Sequence, residues 1–345
     1  MDSLTQIVLG AACGEVVLGR KAGNKAMLWG AVGGTIPDLD VMANFFTDEI
    51  TALAFHRGIS HSFFFAFTAP LVFGWLVHRL YRKRRPGETT YRDWVMLFFW
   101  AIFTHPLLDS CTTYGTQLFQ PFWDYRVALN TISVADPIYT LPFLVLLILA
   151  MRQLRDKSRR RWFTWAGIGV SSAYLAFTAV NKLRVDAIFE KSLEGKNIAY
   201  TRFTASPTIL NNILWQGIAE GDTAFYHGYY SFFDAEPRID SFTVIPKNHH
   251  LLEGMEGQRD VETLQWFSSG YYNLIQRDDG VIQLNDLRFG SMDGTFEAPG
   301  DYIFRFELKA ENGKVVARQV WERPEGGEML EGFWRRLRGG EEVRR

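Results

Sequence analysis

Cysteine is scarce in this chain, which limits how the chain could be cross-linked or bind a metal ion. Only two cysteines occur among its 345 residues, Cys13 inside an apolar run and Cys111 near the end of another. Two such residues provide neither a disulfide framework nor a structural zinc site built from thiolates. Any metal ion that the chain binds must therefore be held by histidine and carboxylate side chains.

A large net charge is also missing, and so is a basic N-terminal region. The formal charge is −1 and the mean hydropathy is −0.07, but these values average a very apolar first half with a polar second half. Nothing in the sequence indicates a nucleic-acid partner. Asp2 stands where a cleavable signal peptide carries basic residues, so we expect residues 4–19 to remain as a membrane helix.

The first half contains a series of apolar runs separated by short polar connections. They cover residues 4–19, 26–37, 62–77, 94–104, 137–151 and 162–180. Such runs are typical of membrane segments, although several are shorter than the roughly 20 residues that span a bilayer. The sequence therefore predicts an α-helical polytopic membrane domain of about six segments over residues 1–181.

Lysine and arginine set the expected orientation, because positively charged short loops stay in the cytoplasm. The connections 79–92 and 152–161 hold six basic residues each, and the turn 19–25 holds three. By contrast, the connections 38–60 and 110–136 each hold a single arginine. We predict that these two face outward and that the chain beyond residue 181 also lies outside the cytoplasm.

Histidine and aspartate residues gather at the predicted outward ends of the apolar runs. Ionisable side chains at a bilayer edge are costly, so a cluster of them on one membrane face indicates a functional site. Imidazole and carboxylate groups together suit a divalent metal such as zinc. The candidate metal ligands are Asp38, Asp40, His56, His61, His105 and Asp109.

Two of these candidates, His105 and Asp109, are four positions apart. On a helix this spacing puts both side chains on one face, where they can reach one ion. The same spacing also suits a hydrogen bond between a helix-end histidine and a carboxylate, with Pro106 marking a kink or a helix start. Both interpretations stay open at the level of the sequence.

The aspartates Asp38 and Asp40 are two positions apart and cannot share a helix face. Only one of them is expected to be a direct ligand, and Asp38 is favoured, whereas the other would support the site or cap a helix. His56 and His61 lie at the two ends of a short segment that includes an arginine and a glycine. Without a metal ion they would be solvated histidines of an interfacial loop.

Four longer stretches contain these residues and occur in a fixed order. They are TIPDLDVM at 35–42, HRGISHS at 56–62, HPLLDSCTTYGTQ at 105–117 and QPFWDYR at 120–126. In this combination they resemble the YdjM-type family of inner-membrane metal-dependent hydrolases, over roughly residues 1–150. The resemblance implies an outward-facing metal centre, similar in ligand pattern to zinc-dependent phospholipases C and related single-strand nucleases.

The ligand pattern of the family carries over to individual residues of this chain. On that pattern the ligands are His105 and Asp109, Asp38 as a ligand or bridge, and His61 or His56. One departure concerns Gln6, which follows Thr5 where many relatives have a histidine. A multi-metal site would then lack one ligand unless Glu15 replaces it, and Glu15 is more simply expected to pair with a neighbouring charge.

A divalent ion held by these residues would lower the pKa of a bound water toward neutrality and offset negative charge on a phosphoryl oxygen. Arg57 and Arg126, the single arginines of the two outward connections, would pair with the phosphate as catalytic residues. The sequence therefore predicts a metal-dependent hydrolase of phosphoesters, phosphodiesterase-like and most simply zinc-dependent, in the bacterial inner membrane.

An aromatic-rich stretch within the connection 110–136 is typical of a membrane interface. Its members are Tyr114, Phe119, Phe122, Trp123 and Tyr125. Such a belt would admit a lipid headgroup, so membrane lipid is an expected partner and a phospholipid or other lipid-linked phosphoester an expected substrate, while its plainer role is anchoring. The alternative for the whole chain is a non-catalytic membrane protein with a structural metal site or a transport role.

The remaining residues, 182–345, are predicted to form an extracytoplasmic soluble domain of α+β or mainly β type. Strand-like runs cover residues 241–246, 263–276, 280–287, 302–309 and 314–321. Asp278-Asp279-Gly280 and Glu311-Asn312-Gly313 are typical hairpin turns. The histidines of this region are expected to be solvated or hydrogen-bonded, because none has a ligand partner at short spacing.

Overall fold

The computed structural model describes residues 1–84, 87–291, 296–311, 313–320 and 327–340. It divides into two compact units. The first unit comprises Met1–Phe46, Phe55–Ala179 and Ile209–Asn211. The second comprises Thr47–Ala54, Val180–Thr208 and Asn212–Arg345.

Helices make up most of the chain up to residue 195. They are α1 (Ser3–Ala22), α2 (Asn24–Thr35), α3 (Glu49–Phe55), α4 (Phe63–Arg84), α5 (Tyr91–Asp109), α6 (Pro137–Met151) and α7 (Ser158–Gly195). Two 3₁₀ helices, Pro37–Phe45 and Ile59–His61, lie between them. Polar caps start several helices: Thr90 and Asp93 form a capping box at α5, and Asp136 accepts from two backbone amides at the start of α6.

The prediction of about six membrane segments is wrong. Among the described helices, two are long and apolar enough to cross a membrane, Phe63–Lys83 with 21 residues and Ser158–Gly195 with 38 residues. The apolar helix α6 has 15 residues and reaches only about 22 Å at about 1.5 Å per residue. A bilayer core is about 30 Å thick, so α6 is too short to span it.

The other three apolar runs form helices with a different role. Helix α2 has only 12 residues, and α1 includes Glu15, Arg20 and Lys21. In α5 the apolar residues from Trp94 to Ile102 are largely buried by their neighbours within the first unit. Part of each run is buried inside the protein, which is a second reason for low polarity besides contact with lipid.

Helices α1 and α2 pack closely through glycines. A Cβ atom at Gly10 would lie 2.4 Å from the carbonyl oxygen of Gly30, and a Cβ at Gly30 would lie 2.2 Å from that of Gly10. Farther along, a Cβ at Gly34 would lie 2.5 Å from the carbonyl oxygen of Gln6. Only glycine allows two helix backbones to approach this closely. The contact fixes the position of Gln6 relative to the end of α2.

The second unit contains two four-stranded antiparallel sheets, which fit the predicted α+β or mainly β domain. One has the order β1 (Arg202–Pro207), β2 (Leu214–Glu220), β3 (Ala224–Ser231), β4 (Thr243–Pro246). The other has the order β5 (Tyr272–Gln276), β6 (Ile282–Asp286), β7 (Arg305–Glu311), β8 (Lys314–Gln319). Two further helices are α8 (Arg259–Phe267) and α9 (Gly327–Leu337).

The structure changes one predicted strand of this unit and contains one predicted turn. The run 263–276 is divided between the end of α8 and strand β5, so its first part is helical. Gly280 has a φ of +79° in the turn between β5 and β6, which is the conformation that the predicted hairpin requires. Asn312 of the second predicted turn and Trp321 of the last predicted strand lie outside the described residues.

The core of the second unit begins at the end of α7. Val185, Phe189 and Leu193 of that helix are buried together with Trp215 of β2. A Cβ at Gly217 would lie 2.1 Å from the ring of Phe189, so a glycine on β2 makes room for this ring. The C-terminal turns of α7 are therefore part of the packed interior of the second unit.

Candidate metal centre

Three segments of the first unit bring four candidate ligands together. Asp38 lies in the 3₁₀ helix Pro37–Phe45, His61 ends the 3₁₀ helix Ile59–His61, and the last turn of α5 provides the other two. The group is Asp38, His61, His105 and Asp109. Each of these residues offers one ligand atom, and the four atoms lie within 4.8 Å of one another.

Five of the six separations between these atoms are 3.1–3.6 Å, and all six are within 4.8 Å. The Nε2 atoms of His61 and His105 are 3.1 Å apart and lie 3.5 and 3.4 Å from Oδ1 of Asp38. The same two nitrogens lie 3.4 and 3.6 Å from Oδ2 of Asp109. In a tetrahedral zinc site with ligand distances of about 2.0–2.2 Å, neighbouring ligand atoms are about 3.3–3.6 Å apart. The donor set and these five separations therefore suit a single divalent cation.

The Asp109 carboxylate has one oxygen engaged and one directed toward the group. Its Oδ1 accepts a hydrogen bond of 2.8 Å from Nε2 of Gln6 and also contacts the Met1 amino group. Its Oδ2 is buried and accepts no hydrogen bond from the residues that the structure describes, with Nε of Arg57 at 3.2 Å. Oδ2 is thus compensated by the Arg57 charge and remains directed toward the two histidine nitrogens.

The outer nitrogens of both histidines are held by neighbours. Nδ1 of His105 lies 2.6 Å from the carbonyl oxygen of Gly34. Nδ1 of His61 lies 3.2 Å from Oδ2 of Asp40 and 3.0 Å from Oγ of Ser60. Hydrogen bonds at Nδ1 fix the ring orientation and leave Nε2 as the metal-binding atom. Both rings are therefore oriented with Nε2 toward the other ligand atoms.

The remaining predicted ligands, Asp40 and His56, lie outside the four-residue group. Oδ1 of Asp40 is 2.8 Å from Nδ1 of His56, and its Oδ2 accepts from the backbone amide of Arg57 at 2.9 Å and from Ser60 at 3.0 Å. Asp40 thus has both oxygens engaged and connects His61 to His56. The His56 side chain is 31% exposed, so it reaches the surface beside the group.

The predicted catalytic arginines both lie against one aromatic ring. The guanidinium carbons of Arg57 and Arg126 are 4.8 and 5.0 Å from the ring centre of Tyr114. Arg57 is buried, has a φ of +59°, and donates from Nη1 to Thr112 at 2.9 Å. Arg126 is also buried and donates from Nη2 to the carbonyl oxygens of Tyr114 and Gly115, each at 3.1 Å. Two buried guanidinium groups therefore lie near Tyr114, and that of Arg57 also forms an ion pair with Asp109.

The aspartates and histidines of the group shift the pKa values of one another. Burial alone would raise the pKa of Asp38 and Asp40, but hydrogen bonds with the neighbouring histidines hold both pKa values below the usual range. Burial alone would lower the pKa of His61, but Asp109, Asp38 and Asp40 raise its pKa to about 10. A metal cation bound by this group would compete with a proton for His61.

Several supporting groups were not predicted from the sequence. The Gly34 carbonyl is a backbone atom, so no side-chain pattern points to it, and Tyr114 was assigned only to an aromatic belt. Glu15 lies elsewhere and forms a two-pronged ion pair with Arg160, with both N–O distances at 2.6 Å. The more simply expected pairing of Glu15 with a charged neighbour is therefore observed.

A buried histidine of the second unit packs against an amide and an aromatic side chain. His227 lies on β3, with Nε2 3.4 Å from Oε1 of Gln216 and its ring centre 4.6 Å from that of Phe296. Burial lowers the pKa of His227 to about 3. Among the described residues of both units, the four-residue group in the first unit is the one set of at least three such side chains spaced to hold a metal ion.

Comparison with known proteins gives one match. Residues 1–185 match the family described as YdjM inner membrane protein. The match covers more than half of the chain and includes all four residues of the group. No curated protein and no solved structure matches the chain.

Proposed function

Because the chain belongs to the YdjM inner membrane protein family, we propose that it is a membrane-bound, metal-dependent hydrolase of phosphoesters. The observation that carries the proposal is the group of two imidazoles and two carboxylates within 4.8 Å of one another, near two buried guanidinium groups. The donor set favours zinc as the metal. A divalent ion bound there would supply a water of lowered pKa and a Lewis acid for a phosphoryl oxygen.

The arginines would bind the phosphoryl group of the substrate. Arg57 is held by Thr112 and Asp109, and Arg126 by two backbone carbonyls, so both guanidinium groups are positioned in advance. Charge-assisted hydrogen bonds from arginine to phosphate are among the stronger ones in proteins. His56 is close enough to the group, through Asp40, to accept or deliver a proton at the protein surface.

The expected substrate is a phospholipid or another lipid-linked phosphoester, with membrane lipid as the partner. The aromatic residues of the segment 119–125 support this, because Phe122 and Trp123 are 86% and 58% exposed. The segment is tied to the centre through backbone hydrogen bonds from Gln117 to Arg57 and from Phe63 to Leu118. Exposed aromatic side chains beside a polar centre suit the membrane interface, where headgroups lie.

We further propose that the metal centre and residues 182–345 lie outside the cytoplasm. Helix α4 carries Arg79, Arg82 and Lys83 at its C-terminal end, and α7 carries Arg159, Arg160 and Arg161 at its N-terminal end. The positive-inside rule assigns both ends to the cytoplasm. The start of α4, directly after His61, and the end of α7 would then be outside.

A second function is favoured by one observation. Structural zinc sites have four protein ligands, whereas catalytic sites usually have three and leave a position for water. Four candidate ligands are present here, which suits a non-catalytic membrane protein with a structural metal ion. Asp38, whose side chain is 20% exposed, is the ligand that borders the surface and would have to give access to water in a hydrolase.

The two functions are separated by one experiment. The detergent-purified chain, loaded with zinc, is assayed with a water-soluble chromogenic phosphodiester and with a phospholipid in vesicles. The wild type and the control Asp156→Asn, at an exposed position after α6, should retain zinc and hydrolyse the lipid, while the double variant His105→Ala, Asp109→Ala should lose both properties. Retained zinc without turnover of either substrate would contradict the hydrolase and support the structural site. A wild type without zinc would contradict both functions.

A further inference from the structure

We infer that the 3₁₀ helix Pro37–Phe45 lies in the membrane interface, with one row of its side chains among lipid acyl chains. The row consists of Leu39, Met42 and Phe45. The inference rests on the membership of the chain in an inner membrane protein family. It needs neither a bound metal ion nor hydrolysis, so it goes beyond the proposed function.

The row follows from the type of helix. A 3₁₀ helix has three residues per turn, so side chains three positions apart lie one above another. Leu39, Met42 and Phe45 have this spacing, and they are 53%, 50% and 80% exposed. Asp40, which directly follows the first residue of the row, is buried. The helix therefore exposes apolar side chains along one row and directs a carboxylate into the protein from another.

Hydrogen bonds hold this 3₁₀ helix beside the start of α4. Oδ2 of Asp40 accepts from the backbone amide of Arg57 at 2.9 Å and from Oγ of Ser60 at 3.0 Å. Ser60 lies shortly before Phe63, the first residue of α4. Because α4 is long and apolar enough to cross a membrane, its first residue marks one surface of the bilayer. The row is therefore held at the level of that surface.

A second exposed apolar segment is attached at the same place. The carbonyl oxygen of Arg57 accepts from the backbone amide of Gln117 at 3.0 Å. The carbonyl oxygen of Leu118 accepts from the amide of Phe63 at 2.9 Å, and the next segment, 119–125, exposes its aromatic side chains. Exposed apolar patches mark protein or membrane contacts, and aromatic side chains are enriched where a bilayer meets water. Lipid is the occupant that fits both segments, because both lie at the start of a membrane-crossing helix.

Lipid contact by the row would also set the depth of the metal centre. Asp38, one of the four residues of the group, directly precedes Leu39, and neighbouring Cα atoms are about 3.8 Å apart. With Leu39 among acyl chains, Asp38 lies at the level of the lipid headgroups. A headgroup can then reach the centre without leaving the bilayer, which suits the proposed lipid substrate.

The first test uses the unchanged full chain in nanodiscs of phosphatidylcholine and phosphatidylglycerol, where both membrane faces are open to a water-soluble oxidant such as chloramine T. Oxidation of Met42 and Met255 to the sulfoxide is followed by peptide mass spectrometry. Met42 is more exposed in the protein than Met255, so without lipid contact Met42 should react faster. We expect the opposite order, because acyl chains should cover Met42 and leave Met255, in the second unit, in water. Faster oxidation of Met42 would overturn the inference.

The second test identifies what covers the row. A nitroxide label is attached at Phe45→Cys in a chain that also carries Cys13→Ala and Cys111→Ala. Labels at Val72→Cys on α4 and at Asp156→Cys, both exposed positions, are the lipid and water controls in the same nanodiscs. The labels at 45 and 72 should relax faster with oxygen, which partitions into lipid, than with a water-soluble nickel complex. The label at 156 should show the reverse.

Other outcomes would contradict lipid contact. Greater access of the nickel complex at residue 45 would place the row in water. Exclusion of both reagents would mean that protein covers the row, and spin–spin broadening between labelled chains would then identify a second copy. If a labelled variant does not fold, the oxidation order in the unchanged chain still decides. Neither test depends on zinc or on turnover, so an inactive chain would contradict the hydrolase and leave this inference standing.

Discussion

Nδ1 of His105 and the carbonyl oxygen of Gly34 are joined by a hydrogen bond of 2.6 Å. The same glycine is where α2 packs against α1, at the backbone of Gln6. Since the carbonyl oxygen only accepts, His105 carries a proton on Nδ1, and its Nε2 faces the other three residues of the group. Gly34 therefore affects both the packing of α1 against α2 and the position of the proton on His105.

Gly34→Ala should weaken metal binding without touching a ligand. The new Cβ would lie 2.5 Å from the carbonyl oxygen of Gln6, so the helices must separate and the Gly34 carbonyl must shift from His105. We expect a loss of stability of about 1–3 kcal/mol and about 10–100-fold weaker zinc binding, measured by thermal unfolding and equilibrium dialysis. Gly169→Ala on α7 is the control, since a Cβ there meets no atom within 4 Å. Equal zinc affinity of the two variants would contradict the prediction.

Asp40→Asn should keep the metal site but loosen it. The carboxylate of Asp40 holds Nδ1 of both His61 and His56, and a neutral amide weakens both contacts. Zinc affinity should fall about 10–100-fold, whereas His61→Ala should abolish stoichiometric binding. Metal content after dialysis against a chelator series measures both effects. If Asp40→Asn loses zinc as completely as His61→Ala, then Asp40 is a direct ligand.

Arg57→Gln should reduce hydrolysis while zinc stays bound. The guanidinium group is proposed to contact the phosphoryl group, and loss of one such preorganised donor typically costs about 100-fold or more in rate. The measurement is kcat/KM on the lipid substrate beside the zinc content of the same sample. Arg79→Gln, on α4 and against Trp75, is the control. Turnover that is unchanged in Arg57→Gln would exclude this arginine from catalysis.

His227 should make the second unit less stable in mild acid. Its pKa is about 3 in the folded chain and about 6.5 in an unfolded one. The unfolded state therefore binds the proton first, and the contribution to stability is complete above pH 6.5 and declines as the pH falls toward 3. Between pH 7 and pH 5 the decline is about 2 kcal/mol.

Chemical unfolding of the full chain at the two pH values, followed by second-unit probes, measures this decline. His227→Gln should lower stability at pH 7 but remove most of the extra pH dependence. His250→Gln, at an exposed position, should keep it. An equal pH dependence in wild type and His227→Gln would exclude His227 as its source.

The sequence predicted the residues of the candidate site better than their roles. The four-residue spacing of His105 and Asp109 was sufficient to bring both to one helix face, where they are found in the group. Asp40 and His56 have the same side-chain chemistry as the four residues of the group, but they bond to each other and lie outside it. Such a contact depends on how the 3₁₀ helix Pro37–Phe45 packs, which no local pattern encodes.

The fold was predicted less well in the first half than in the second. Apolar composition indicates only that side chains are removed from water, either in lipid or inside the protein. The buried residues of α5 are removed from water inside the protein. The close packing of α1 and α2 through glycines became apparent only in the structure. In the second half, turn residues such as Gly280 impose a backbone conformation directly, so the antiparallel hairpin followed from the sequence.

The ion pair of Glu15 and Arg160 has a consequence for how this family can change. Both side chains are buried, and removing one partner of a buried pair costs about 3–5 kcal/mol because the other charge stays unpaired. Replacing both with apolar residues of similar volume is often neutral. The two positions are thus expected to covary among homologues. A homologue should have either both charged residues, in the same or the opposite order, or two apolar ones.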